Sequence, residues 1–337
     1  MKRTMILAMA VLCLCTANPV SLFAQRKITI KMASPVPEGT PWGKYLNQIA
    51  GEWEKITGGE VELKIYHNGI AGSEEAVLRN LKLNQLQAAV LSTFGLSAVA
   101  PEILTLSCPF LIRDDEELDL VLERLKPELE ERINGQGFFT LAWARVGWVK
   151  VFSKQPVFVP ADLKRQKLAT NTEEMKLNQA FKAMGFQMVP VARNDILIAL
   201  NGGMAEAVYE SPIAVGGLQI FGIAKNMASI NIAPFMGGIV LSRNSWRSIP
   251  DRYKPRLLEA TRRIEKELDA SVRDLEANMI ATMAQYGLRV NELSEAQKNQ
   301  WYNDVGQAMP GLAGTVFDRD LYRRIETILA AHRARER

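Results

Sequence analysis

The chain has 337 residues, 41 Lys and Arg against 37 Asp and Glu, and a formal net charge of +4. That length accommodates two ordinary domains, and the near balance of charge excludes the basic surface that nucleic-acid binding requires. With two histidines, three cysteines and no His-Glu-x-x-His, Walker or Gly-x-Ser-x-Gly pattern, neither a metal cofactor nor an enzymatic centre is predicted.

Taken in chain order, Lys2 and Arg3 precede an apolar run at 5–14, and "SLFAQ" offers cleavage after Ala24. This predicts an export signal over 1–24, too short for a membrane span. Cys15 follows Leu14, where a lipoprotein would carry a small residue, so a lipid anchor is the lesser reading. About 310 residues then remain.

"KITIKMAS" reads as a strand. Trp42, Tyr45, Leu46, Ile49, Trp53 and Ile56 form a helical stripe opened by Pro41 and stopped by Gly58 and Gly59. "EVELKIY", a helix from Ser73 to about Leu83, and "LQAAVLST" complete a β-α-β-α-β pattern, the mark of a parallel sheet. A helical region over 115–137, with a break at Pro127, precedes the long strand "FFTLAWARVGWVKVFSK". In the segment 163–186, a strand at 167–169 leads to a helix. Thr170 with Glu173 fits its capping box, and Asn171 with Glu174 offers a second register. "GFQMVPV" and "AEAVYESP" are further strands, and "ASINIAPFMGGIVLSR" reads as two strands around a loop at 233–238. From 251 to 286 a single helix of some 30 residues is predicted, on the order of 45 Å long. The basic ending "HRARER" reads as a solvated helix end.

Outside the signal only Cys108 remains, so no intramolecular disulfide is expected, and its apolar setting predicts an inert buried thiol. His67 reads as a loop residue, and the carboxylates at 114–117 and 128–131 as solvated helix faces. Aromatic residues gather at predicted strand-to-loop junctions, where ligands bind in α/β folds.

The stretches "GTPWGKYLNQIAGEWEKITGGEVELKIYHNGIAGSEEAVLRNLKLNQLQAAV", "CPFLIRD", "PADLKRQKLATNTEEMKLNQAFKAMGFQMVPV" and "IALNGGMAEAVYESP" together resemble the DctP-type periplasmic substrate-binding subunits of TRAP transporters. The resemblance implies a periplasmic protein of two α/β domains, joined by crossover strands and a long helix spanning both. It divides the chain into 25–148 with 237–276, and 149–236 with 277–337. A ligand cleft between the domains closes by hinge motion. A membrane permease is the implied partner. The chain also resembles a spirochaetal subgroup associated with a tetratricopeptide-repeat lipoprotein, which makes such a lipoprotein a second candidate partner.

Two departures from the family shape the expected site. The family's carboxylate-gripping arginine falls at Ala169, and a second frequent arginine falls at Val149. A buried carboxylate with no such partner bears a cost of several kcal/mol. The expected cleft is therefore apolar, lined by Val149, Ala169, Trp148, Trp42, Phe94, Tyr209 and Phe235, with Ser34, Ser92, Asn171 and Ser211 orienting a polar end. A hydrophobic ligand such as a lipid or fatty acid is the expectation. The alternatives are a small organic acid, or a sensor subunit docking on a membrane receptor.

Overall fold

The structure, a computed structural model, describes residues 27–172, 174–192 and 195–335. The expected export segment and its cleavage point at Ala24 lie outside these residues, as does Glu173. Among the described residues no helix is long and apolar enough to cross a membrane.

The first lobe is built on parallel strands and the helices that return between them. β1 (Ile28–Ala33) leads to α1 (Pro41–Thr57), which Thr40 caps through its hydroxyl and Gly58 ends with a left-handed backbone. Leu46, Ile49 and Trp53 of its stripe are buried, each contributing about 1.5–3 kcal/mol. β2 (Val61–Tyr66), α2 (Glu74–Lys82), β3 (Ala88–Ser92) and α3 (Thr93–Val99) follow, then a 3-10 turn (Pro101–Ser107). α4 (Asp115–Gly135) runs unbroken through Pro127, because Leu125, Leu129 and Ile133 anchor the turns around it. The expected break is absent: one missing N–H weakens a helix held by a buried face without ending it.

β4 (Phe138–Ser153) is the element that joins the lobes. The second lobe adds α5 (Pro160–Lys164), β5 (Lys167–Asn171), α6 (Met175–Ala183), β6 (Gln187–Val191), α7 (Ile196–Asn201), β7 (Ala207–Glu210), α8 (Pro212–Gly217) and β8 (Asn226–Ala228). β9 (Ala233–Ser242) returns to the first lobe, α9 (Arg243–Ser248) follows, and α10 (Lys254–Gln285) is the expected long helix at 32 residues. β10 (Arg289–Asn291), α11 (Glu295–Leu312) and α12 (Arg319–Arg333) complete the chain.

The strands form the order β2-β1-β3-β9-β4-β7-β5-β6, with β8 and β10 to one side. β4 pairs antiparallel with β9 over Phe138 to Val149, then with β7 and β8 over Lys150 to Ser153. Opposite β9, the first part of β4 has no strand partner among the described residues, and side chains cover its backbone instead. Asn134 Oδ1 accepts from Thr140 N–H at 3.3 Å, and Glu276 Oε2 accepts from Trp148 N–H at 2.8 Å. An uncovered edge would invite other strands.

Two local expectations are corrected. Thr170 is buried within β5, so it does not cap the following helix, and α6 starts after Glu174 with no side-chain cap. Residues 233–238, expected as a loop, belong to the continuous strand β9. Gly237 and Gly238 permit this: a Cβ on either would crowd a carbonyl oxygen of a flanking strand, Leu91 or Ala142.

α12 lies on α4. Glu128 takes hydrogen bonds from Arg324 and Arg132, at 2.7 and 2.8 Å, which lower its carboxyl pKa to about 2. The unfolded value is about 4.3, so the folded pKa is depressed. The stability from this pair is present above pH ~4.3 and lost as pH falls towards 2. Urea midpoints across this window should fall for the wild type and fall less for Glu128→Gln. With partly exposed partners the effect is about 1 kcal/mol.

Candidate functional site

The two lobes meet where β4 is flanked by β9 on one side and β7 on the other. Gly147 lies opposite Phe235, Trp148 opposite Pro234 and Val151 opposite Tyr209. This register brings Val149, Pro234, Phe235, Tyr209 and Glu210 to one place. Phe94 of α3 and Ser107 of the 3-10 turn close it from the first lobe, and Glu174 at the start of α6 from the second. The enclosed cavity is about 10 Å³, room for about one water molecule. That space is too small for any solute larger than water.

Of the residues expected to line the cleft, Val149, Phe94, Tyr209 and Phe235 do so. The others do different work. Ala169 is fully buried in a separate cluster with Phe152, Ile196, Val208 and Met283, outside the cavity wall. Trp148 is drawn to Asp115, whose Oδ1 accepts its indole N–H at 3.2 Å. Trp42 donates its indole N–H to Arg145 O at 3.2 Å, binding α1 to β4.

The three serines are engaged locally, Ser92 also donating its hydroxyl to Glu74 Oε2 at 2.7 Å. Ser34 Oγ accepts from Val36 N–H, Ser92 caps α3, and Ser211 caps α8. Asn171 ends β5, and its carbonyl accepts from Asn178 Nδ2 at 3.0 Å. Lys150, adjacent to the lost arginine position, turns its ammonium to Asn231 Oδ1 at 2.5 Å and is absent from the cavity wall.

Sequence reasoning missed Ser107, Pro234, Glu174 and Glu210. The two glutamates change the character of the site. Both are buried in the wall and neither is unpartnered. Ser211 N–H donates to Glu210 Oε1 at 2.9 Å. Tyr209 packs edge-on against Phe181 at 5.1 Å, and burial pushes its phenol pKa well above the ordinary value, so its hydroxyl stays protonated. The expectation of an apolar pocket is thereby corrected: Ser107, Glu174, Tyr209 and Glu210 make half of the wall polar. An alkyl chain laid against carboxylates would strip them of hydration without replacing it.

A larger open groove of about 610 Å³ runs outside the cleft, along β4 between α4 and α10. Ion pairs such as Lys126 to Glu265, at 2.7 Å, cross it. Among the described residues no cluster of His, Cys, Asp and Glu could hold a metal ion.

The sequence over residues 32–312 matches the family described as bacterial extracellular solute-binding protein, family 7. A solute-binding protein of Verminephrobacter eiseniae is 29% identical over 194 residues, 57% of each chain. The alignment thus spans just over half the length of that relative. The 2,3-diketo-L-gulonate-binding periplasmic protein YiaO of Escherichia coli is 24% identical over 240 residues, 70% of this chain and 73% of its own. A TRAP periplasmic solute-binding protein from Pseudomonas putida F1, solved with bound D-glucuronate, superposes with a TM-score of 0.79 at 20% identity. That superposition covers 88% of this chain and 96% of the other.

Proposed function

We infer that this chain, which belongs to bacterial extracellular solute-binding protein family 7, is the binding subunit of a TRAP-type transporter that captures a small hydroxylated organic acid and presents it to membrane permease subunits. The observation that carries the reading is the interlobe wall, apolar through Phe94, Val149 and Phe235 and polar through Ser107, Tyr209, Glu174 and Glu210. Ligand hydroxyls would donate to the two glutamates, and because no cation stands in this wall among the described residues the ligand carboxylate would lie away from them, taking the Tyr209 hydroxyl as its donor. The aromatic rings would cover the carbon skeleton. The relatives named above bind 2,3-diketo-L-gulonate or D-glucuronate, both acids rich in oxygen, and this supports the organic-acid class over a lipid. Binding that favours the shut arrangement lets a permease distinguish loaded from empty protein. The reading calls for no tetratricopeptide-repeat lipoprotein.

Thermal melts of the purified protein with D-glucuronate, L-malate and palmitate test it. A bound solute at a hundred times its Kd adds about 2.7 kcal/mol, so a hydroxy acid should raise the melting temperature and palmitate should not. Glu210→Gln should weaken the best acid about tenfold, since a hydrogen bond to a charged group is worth ~1.5–3 kcal/mol. A shift with palmitate alone would return the cleft to a hydrophobic ligand.

A further inference from the structure

β4 crosses between the lobes at a bulge. Its register with β9 slips between Arg145 and Gly147, and Gly147 has φ of +120°, a conformation that residues with side chains rarely adopt. A Cβ at Gly147 would collide with Glu276 Oε2, the same oxygen that takes the Trp148 N–H. Glu276 belongs to α10 and is only 9% exposed. It therefore ties the helix to the strand where β4 changes partners.

The surroundings hold this contact firmly. Trp148 is fixed a second time through its indole by Asp115 of α4. Arg145 engages Asp119, and Arg273 of α10 reaches Asp115 at 3.0 Å. Burial raises the Glu276 pKa, and the charge of Lys150 opposes that rise. The next residue along β4 after Trp148 is Val149, in the cavity wall.

We propose that Glu276 is a positioning residue for the cleft: by accepting the Trp148 N–H it fixes the Gly147 bulge, and with it the angle at which β4 enters the second lobe and the aim of Val149. The proposal rests on the reading of this cleft as the solute site. Its test needs no solute, so either can fail while the other stands.

Nitroxide labels at Lys82→Cys and Lys182→Cys, both exposed and on different lobes, report the interlobe distance by pulsed electron paramagnetic resonance. Produced from residue 25 onward the protein lacks Cys13 and Cys15, and Cys108 is fully buried, so no other thiol competes for label. The parent should give one narrow distance. Glu276→Ala should add a longer, broad component, raising the open-to-shut ratio about tenfold, as expected for one lost buried hydrogen bond. Glu276→Gln keeps an acceptor oxygen and should preserve the narrow distance. Gly147→Ala should reproduce the alanine result, and the double variant should add nothing to it. Where Glu276→Ala does not fold, Glu276→Met keeps the bulk without the acceptor and should broaden the distance in the same way. A narrow parent-like distance in the variants lacking the acceptor overturns the proposal. So does a broad one in Glu276→Gln, which would assign the effect to charge opposite Lys150.

Discussion

Ala169→Arg should cost the protein about 5 kcal/mol and leave its solute preference to be judged only in what survives. Ala169 is completely buried, with Val189 and Val208 beside it on the flanking strands. A guanidinium there enters a hydrophobic cluster that includes Phe152, Ile196, Val208 and Met283. Its desolvation penalty is several kcal/mol, and overpacking a filled core adds about 1–3 more. Ala169→Leu separates the two contributions, since it overpacks without charge and should cost about 1–3 kcal/mol. Urea denaturation followed by circular dichroism measures both. If Ala169→Arg kept parent stability and bound malate more tightly, the side chain would face the cleft after all.

The distance between the expected and the observed role of Ala169 shows where sequence reasoning stops. The strand at 167–169 was legible from its pattern, as were the stripe around Trp53 and the length of α10, because burial imposes a period on each. The side to which a strand residue points depends on its partners. β5 lies between β6 and β7, and this pairing places Ala169 against α7 and away from the cleft. No local pattern encodes it. The serines illustrate a second limit. Ser92 and Ser211 stand at strand ends, where ligand-binding hydroxyls are expected, yet each caps the helix that follows. Cap and ligand contact have the same local signature. Glu174 and Glu210 were hidden for the opposite reason: one precedes α6 and the other ends β7, where pattern gives little direction, and only the approach of β4, β7 and β9 brings them to one cavity. The resemblance identified the fold, and the apolar inference weighed what was lost at two positions without the polar groups that Ser107, Glu174, Tyr209 and Glu210 bring to the same wall.

Arg333→Ala should destabilise the protein by about 3 kcal/mol, although the residue lies in a basic ending that reads as solvated. Its guanidinium forms a two-point pair with Glu117, at 2.5 and 2.8 Å, and also donates to Leu111 O at 2.9 Å. The Glu117 side chain is only 4% exposed. Removing one partner of a buried pair costs about 3–5 kcal/mol, because the other charge is left behind. Here the lower figure applies, since Arg113 N–H still donates to Glu117 at 2.8 Å. Replacing both, as Glu117→Met with Arg333→Met, should cost less than either single change, which is the behaviour of a desolvated pair. Chemical denaturation of the three variants measures the cycle, and additive losses would mean the two side chains act separately. The consequence reaches the cleft. Glu117 is in the first turn of α4, beside Asp115 and Asp119, which hold Trp148, Arg145 and Arg273 at the crossing of the lobes. Loosening that turn should therefore widen the interlobe distance in Arg333→Ala even at temperatures where the fold is intact. A parent-like distance in that variant would show that the end of the chain stabilises the first lobe without governing how the two lobes close.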